Sequence, residues 1–288
     1  MTSSDVVTDL RHIFSLKRVG HTGTLDPGAA GVLPVCLGRA TRLFDYLTDK
    51  EKEYLAELRF GAETDTQDSY GTLVRRSNAP VSEAALLEAL PKFIGEQMQT
   101  VPLYAAVRVN GTPMYKLARK GEAVEQKARP ITVHALELVS KTGEDRFLLR
   151  VACSRGTYVR ALASDIGQAL GSCAHLSFLL RTRSGSFTLE NAFTLEELRA
   201  LKEQNSLHEA VTPVDEAMGG FPQLFLSELP AREKRLLLNG ASIERGAEFE
   251  EGKTVRAYLD GSFVGLGVRG PDGFHISVFF TEDKPDAT

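Results

Sequence analysis

Apolar residues along this chain follow two periods, one helical and one alternating, and their order predicts its elements. Val6, Val7, Leu10, Ile13 and Phe14 share one face of a helix over residues 4–16, with Ser3 or Ser4 standing as N-cap. After a glycine-rich loop at 20–31, Ala40, Leu43, Phe44 and Leu47 predict a second helix. Tyr54 to Phe60 reads as a strand, followed by the acidic turn GAETDTQDSYG. Ser82 opens a helix through Leu86, Leu87, Leu90 and Phe93. Two extended runs meet at Asn110-Gly111, a hairpin dipeptide, and Pro113 starts a short helix that Gly121 ends. Strands over 130–139 and 146–153 precede a helix from Tyr158 to Leu170, with Gly171 as its stop. Thr194 and Glu197 have capping-box spacing. The irregular alternation of strands and helices predicts an α+β fold with a mixed sheet, not a regular βαβ repeat.

The pattern changes near Gly219-Gly220. Beyond a short helix at 230–238, Asn239-Gly240, Asp260-Gly261 and Gly270-Pro-Asp-Gly273 punctuate short β-rich runs. A boundary is therefore expected near 220, dividing a domain of residues 1–219 from a small β-rich module over 220–288 with an acidic tail.

The 288 residues are 42% hydrophobic and 25% charged, an ordinary soluble composition. No apolar run suggests a membrane span, and the N-terminus lacks a secretory pattern, so the cytoplasm is the expected compartment. Cys36, Cys153 and Cys173 are scattered, and with six isolated histidines they show no metal-ligand spacing. Neither a disulfide framework nor a zinc site is indicated. The net charge of −4 argues against a polyanionic partner, but its distribution does not. Base gathers in three groups: Arg11, Lys17, Arg18, Arg39 and Arg42 around the glycine loop; Lys116, Arg119, Lys120, Lys127 and Arg129; and Arg155, Arg160, Arg181 and Arg183. Such groups are the footprint of a nucleic-acid surface or simply solvated faces.

Several motifs lead nowhere. GLGVRG at 265–270 spells a dinucleotide fingerprint, but Pro271-Asp-Gly273 forbids the helix it needs. Gly23 to Gly28 has the opening spacing of a P-loop, yet Ala29-Ala30 stands where Lys and Ser or Thr are required. What remains is Asp26 in the glycine loop GHTGTLDPGAAG, Tyr54 behind the charged run Lys50 to Glu53, and Tyr158 and Arg160 after the glycine turn of CSRGTYVR. Taken singly, each has a plain reading: a turn aspartate before proline, packing aromatics, a helix-surface arginine.

Together they have another. GHTGTLDPGAAGVLPVCLGRATRL closely resembles the signature of the TruB family of tRNA pseudouridine-55 synthases. KEYLAELRFGAETDTQD, NGTPMYKLARKGE, CSRGTYVRALASDIG and AHLSFLLRTRSGSF resemble that family's later segments, in order, over residues 2–216. The C-terminal module resembles a PUA-type RNA-binding domain. The resemblance implies a largely antiparallel mixed sheet with flanking helices. It also implies isomerisation of a flipped-out uridine to pseudouridine in the tRNA T loop, without cofactor or metal, by a monomer needing no obligate protein partner.

The resemblance also assigns roles. Asp26 is the nucleophile or acid–base carboxylate, and Arg160 pairs with it and directs it. Tyr54 stacks on the uracil and its hydroxyl takes part in proton transfer. Tyr158 closes the pocket wall, Leu179 is an apolar contact to the base, and His21 fills the space the flipped nucleotide leaves. Gly28 and Ala30 replace the family's usual Leu and Thr, and Ala105 and Arg108 its Ser and Lys. Family members usually begin with a strand and a Lys-Pro-x-Gly segment. Met1 stands where that segment should end, which predicts an exposed sheet edge and less support for the loop. Two rival readings make different predictions. A tRNA-binding folding helper would survive loss of Asp26, and a hydrolase would pair Asp26 with Asp65 or Asp68.

Overall fold

The computed structural model describes residues 1–48 and 51–280; Lys50 and the acidic tail after Phe280 lie outside the described residues. Two compact units form, and neither is continuous in sequence. One gathers Met1–Ser3, Gly23–Pro34 and Leu47–Ala192; the other gathers Ser4–Thr22, Val35–Tyr46 and Phe193 onward.

The first unit is built on a seven-stranded sheet. Its spatial order is Phe187–Thr188, Ala174–Ser184, Lys52–Phe60, Arg146–Cys153, Ala128–Gly143 and Gly95–Thr100, all antiparallel neighbours. The two-residue strand Ala30–Gly31 adds in parallel beside Leu180 and Arg181. Alternation drives the central strands. Tyr54, Ala56, Leu58 and Phe60 face one core with Phe147, Leu149 and Val151, while the intervening residues carry Glu53, Glu57 and Arg150 outward. The helix Val159–Ala169 lays Val159, Leu162, Ala163 and Ile166 into the same core. Gly167 permits that close packing, since a Cβ there would lie 2.5 Å from the Ala174 nitrogen. The fold is α+β with a mixed, mostly antiparallel sheet.

Three expectations change. The strand Ala174–Ser184 has no counterpart in the predicted elements, because two register shifts and the inward-facing Arg181 break its alternation. The extended runs at Asn110-Gly111 shrink to the two-residue strands Arg108–Val109 and Thr112–Pro113, with Asn110 and Gly111 both at positive φ. The helix expected from Ala40 is a 3₁₀ segment, Gly38–Leu43, followed by the short helix Phe44–Thr48.

Within the second unit, the helix Ser3–Ile13 packs Val7, Leu10 and Ile13 against Val19 and Leu198. Thr194 and Glu197 form the capping box of the helix Leu195–Glu203. A four-stranded sheet, Gln223–Leu226, Thr254–Leu259, Ser262–Gly270 and Gly273–Phe279, closes a small core around Leu224, Val255 and Phe274. The helix Ala231–Leu238 covers that core with the fully buried Leu237.

Candidate active site

Asp26 sits in the loop between Gly23 and Ala30, and the chain holds it there from several sides. The Asp26 carbonyl accepts from the Ala29 amide at 3.0 Å, forming a tight turn across Pro27 and Gly28. Ser3 does not spend its hydroxyl on capping. It accepts from the Leu25 amide at 2.9 Å and donates to the Leu25 carbonyl at 3.3 Å, fixing the residue before Asp26. Gly28 has φ +83, and a Cβ there would lie 2.2 Å from the ring of Tyr70. The departure at Gly28 is thus matched by an aromatic on the neighbouring turn.

The carboxylate meets Arg160, on the first turn of the helix Val159–Ala169. Arg160 Nε donates to Asp26 Oδ2 at 2.6 Å and Nη2 to Oδ1 at 3.3 Å. Two more of its donors go to the Thr66 carbonyl at 2.8 Å and the Tyr104 carbonyl at 3.3 Å. The guanidinium is buried, whereas the Asp26 side chain keeps 33% exposure. Two-point pairing to a buried arginine that is itself anchored on two carbonyls leaves the carboxylate few orientations, while its open side can still reach a ligand.

Asp65 and Asp68 are occupied elsewhere. Asp68 Oδ1 accepts from Thr66 Oγ1 and the Tyr70 amide, and Asp65 accepts from the Thr72 amide and the Tyr104 hydroxyl. They shape the turn that offers the Thr66 carbonyl to Arg160.

Tyr54 lies on the central strand with 7% exposure, in one core cluster with Leu179, against which Ala29 of the loop also packs. Burial pushes its phenol up to about 12, and the charge and hydrogen bonding of nearby Arg181 only partly oppose that. It is a neutral phenol at any physiological pH. Tyr158 precedes the helix. Its amide donates to Gln99 Oε1 at 2.8 Å and its carbonyl accepts from Gln99 Nε2 at 3.1 Å. The Arg129 guanidinium lies 4.7 Å from its ring centroid and that of Arg160 5.8 Å. The first unit therefore brings together Asp26, Arg160 and Tyr158 around one guanidinium, and Tyr54 and Leu179 on one sheet face. His21 belongs to the second unit, in the strand Val19–His21 opposite Val35.

Arg181 is the residue that sequence reasoning misplaced. It was counted in a basic cluster with Arg155, Arg160 and Arg183, yet Arg160 and Arg181 are 3% and 1% exposed. Arg181 pairs across the sheet with Tyr54. The one available signal was its two-residue spacing from Leu179, which puts both on the same face of a strand. Among the described residues, no group of three or more His, Cys, Asp or Glu is placed to hold a metal.

Comparisons with known proteins place the chain in a family. Residues 11–159 match the family model for the N-terminal domain of TruB family pseudouridylate synthases, and residues 160–219 match that for the tRNA pseudouridylate synthase B C-terminal domain. The chain belongs to the TruB family. TruB enzymes are isomerases, and this chain is one of them. The tRNA pseudouridine synthase B of Caldanaerobacter subterraneus is 44% identical over 93% of this chain and 91% of that protein. Its counterpart in Bacillus pumilus is 42% identical over 86% and 82%. Among solved structures, a chain of an H/ACA RNP bound to a substrate RNA containing 2′-deoxyuridine matches with a TM-score of 0.73. That match has 26% identity over 98% of this TruB-family chain and 83% of the other. A Cbf5–Nop10–Gar1 complex gives 0.71 at 27% identity.

Proposed function

We propose that this chain converts uridine to pseudouridine in tRNA, at position 55 of the T loop, with Asp26 as the acting carboxylate. The observation that carries the reading is the Asp26–Arg160 pair, a half-open carboxylate fixed by a buried guanidinium at the tip of a glycine loop. The relatives' names supply the substrate class.

The reaction is an internal exchange. The N1–C1′ bond breaks, the uracil turns while held, and C5 joins C1′; the proton lost from C5 is balanced by the one N1 gains. No redox partner or group donor enters. A stacked T-loop uridine must first be extruded, at about a few kcal/mol. His21 fills the vacated space, Tyr54 stacks on the base as a neutral phenol able to donate or relay a proton, and Leu179 and Tyr158 bound the pocket. Residues 1–219 serve as the catalytic domain, and residues 220–288 as a PUA-like RNA-binding module. The enzyme acts as a monomer in the cytoplasm, without an obligate protein partner.

The test is release of tritium from a tRNA transcript labelled at uridine C5, comparing this chain with Asp26→Asn. Release by the parent, and a loss of several orders of magnitude in the variant with tRNA binding kept, is the expected result. Equal release from both would remove Asp26 from the chemistry. No release from either, with binding intact, would favour the folding helper.

A further inference from the structure

The loop that carries Asp26 has a tip and a base, and the base is closed by a residue with no assigned role. Arg181 Nε donates to the Val32 carbonyl at 2.7 Å, and its Nη2 donates to the Gly23 carbonyl at 3.0 Å. Its own carbonyl accepts from the Val32 amide at 2.9 Å. One residue therefore satisfies both backbone groups of Val32 and ties the far end of the loop, at Gly23, to the same point. Between the tied ends, Gly31 runs so close to Arg181 that a Cβ would lie 2.2 Å from the Arg181 carbonyl oxygen, at a φ of +105.

The choice of residue is unusual in its surroundings. Arg181 is among the largest fully buried side chains of the protein. Removing a guanidinium from water is costly unless its donors are met. Here two of them go to backbone carbonyls of the loop, 149 and 158 residues away in sequence, and Arg181 also hydrogen-bonds Tyr54. A planar fork can hold two divergent carbonyls at once, which a lysine ammonium on a flexible stem does poorly. The same side chain stands directly opposite Tyr54 in the ladder.

We infer that Arg181 is a positioning residue, a clamp that sets the base of the Asp26 loop and registers it against the Tyr54 strand, as Arg160 sets its tip. The inference deepens the synthase reading and rests on it for its kinetic consequence, though not for its structural one. Displacing a reacting group by about 1 Å costs on the order of a hundredfold in rate. The clamp therefore acts on turnover, not on RNA affinity.

Two measurements test it. In the unmodified protein, native-state hydrogen exchange should find the Val32 amide opening together with the amides of the Lys52–Phe60 and Ala174–Ser184 ladder, within about tenfold. Exchange on the order of a thousandfold faster than the ladder would overturn the clamp, whatever any variant does. In Arg181→Lys, charge is kept and the fork is lost. The expected outcome is a kcat lower by about a hundredfold, KM and tRNA affinity within threefold (~, the usual scatter for groups outside the binding surface), and Val32 exchange faster by about 10- to 100-fold. Unchanged kcat in a folded Arg181→Lys would overturn the inference. So would a loss confined to RNA affinity, which would make Arg181 an RNA contact. If the unmodified protein itself releases no tritium, the synthase reading fails, and the exchange measurement still decides the clamp.

Discussion

Tyr54 and Arg181 face one another across two antiparallel strands, a phenol and a guanidinium both almost wholly removed from solvent. Because burial lifts the Tyr54 phenol from 10.0 to about 12, folding favours its protonated form. The stabilisation linked to that form is complete below pH 10 and drains away as pH rises from there through about 12. Tyr104 and Tyr258 are also raised by burial, but ultraviolet titration of the folded protein should show a last phenol ionising near 12, and Tyr54→Phe should delete that last step. A last step that survives the substitution would assign it to another tyrosine. At this scale the sequence was half legible. Asp26 and Arg160 were found only through the ordered resemblance to a family, since singly a turn aspartate before proline and a helix-surface arginine are the plainer readings. Arg181 was not, because nothing local separates a buried arginine from an exposed one; its carbonyl partners lie in a loop far away in sequence.

Among the elements, the helix Val159–Ala169 carries Arg160, and what fixes its start is a side chain. Tyr158 has no side-chain cap of its own. Gln99, 3% exposed, reproduces with one amide the pair of bonds a neighbouring strand would make to the Tyr158 backbone. Gln99→Leu keeps the volume and orphans both groups. The expected cost is about 2 kcal/mol in urea unfolding, together with a lower kcat as Arg160 loses its fixed origin. A variant of parental stability and activity would show that the helix start is held otherwise. Helices with a cap, a terminating glycine and a clean apolar face were readable: Ser82, Gly171 and the Thr194–Glu197 box all behave as expected. The strand Ala174–Ser184 was not, since its pattern is set by bulges and by what crosses it, and neither is local information.

For the whole molecule, charge is sorted by burial more than by sequence. Of the basic groups, Lys116, Arg119, Lys120 and Lys127 are exposed, as are Arg11, Lys17, Arg18, Arg42 and Arg155, whereas Arg160 and Arg181 serve the interior. Only the exposed set can answer phosphates. Lys116→Ala and Lys127→Ala should each weaken tRNA binding irrespective of the modified base and reduce the salt slope of log K by about 0.7–0.9, leaving kcat at saturating tRNA unchanged. An unaltered slope would remove these residues from the RNA footprint. The two arginines that define the Asp26 loop have a different consequence, one of timing. Asp26 is bonded across 134 residues and Gly23 across 158. At a ribosomal pace of about 5–20 residues per second, the 158-residue span takes roughly 8 to 32 s to emerge after the loop itself. For the first part of that interval the nascent chain displays its aspartate without either of the groups that aim it, and after Arg160 has emerged the loop still lacks the tie at its base until the strand Ala174–Ser184 follows.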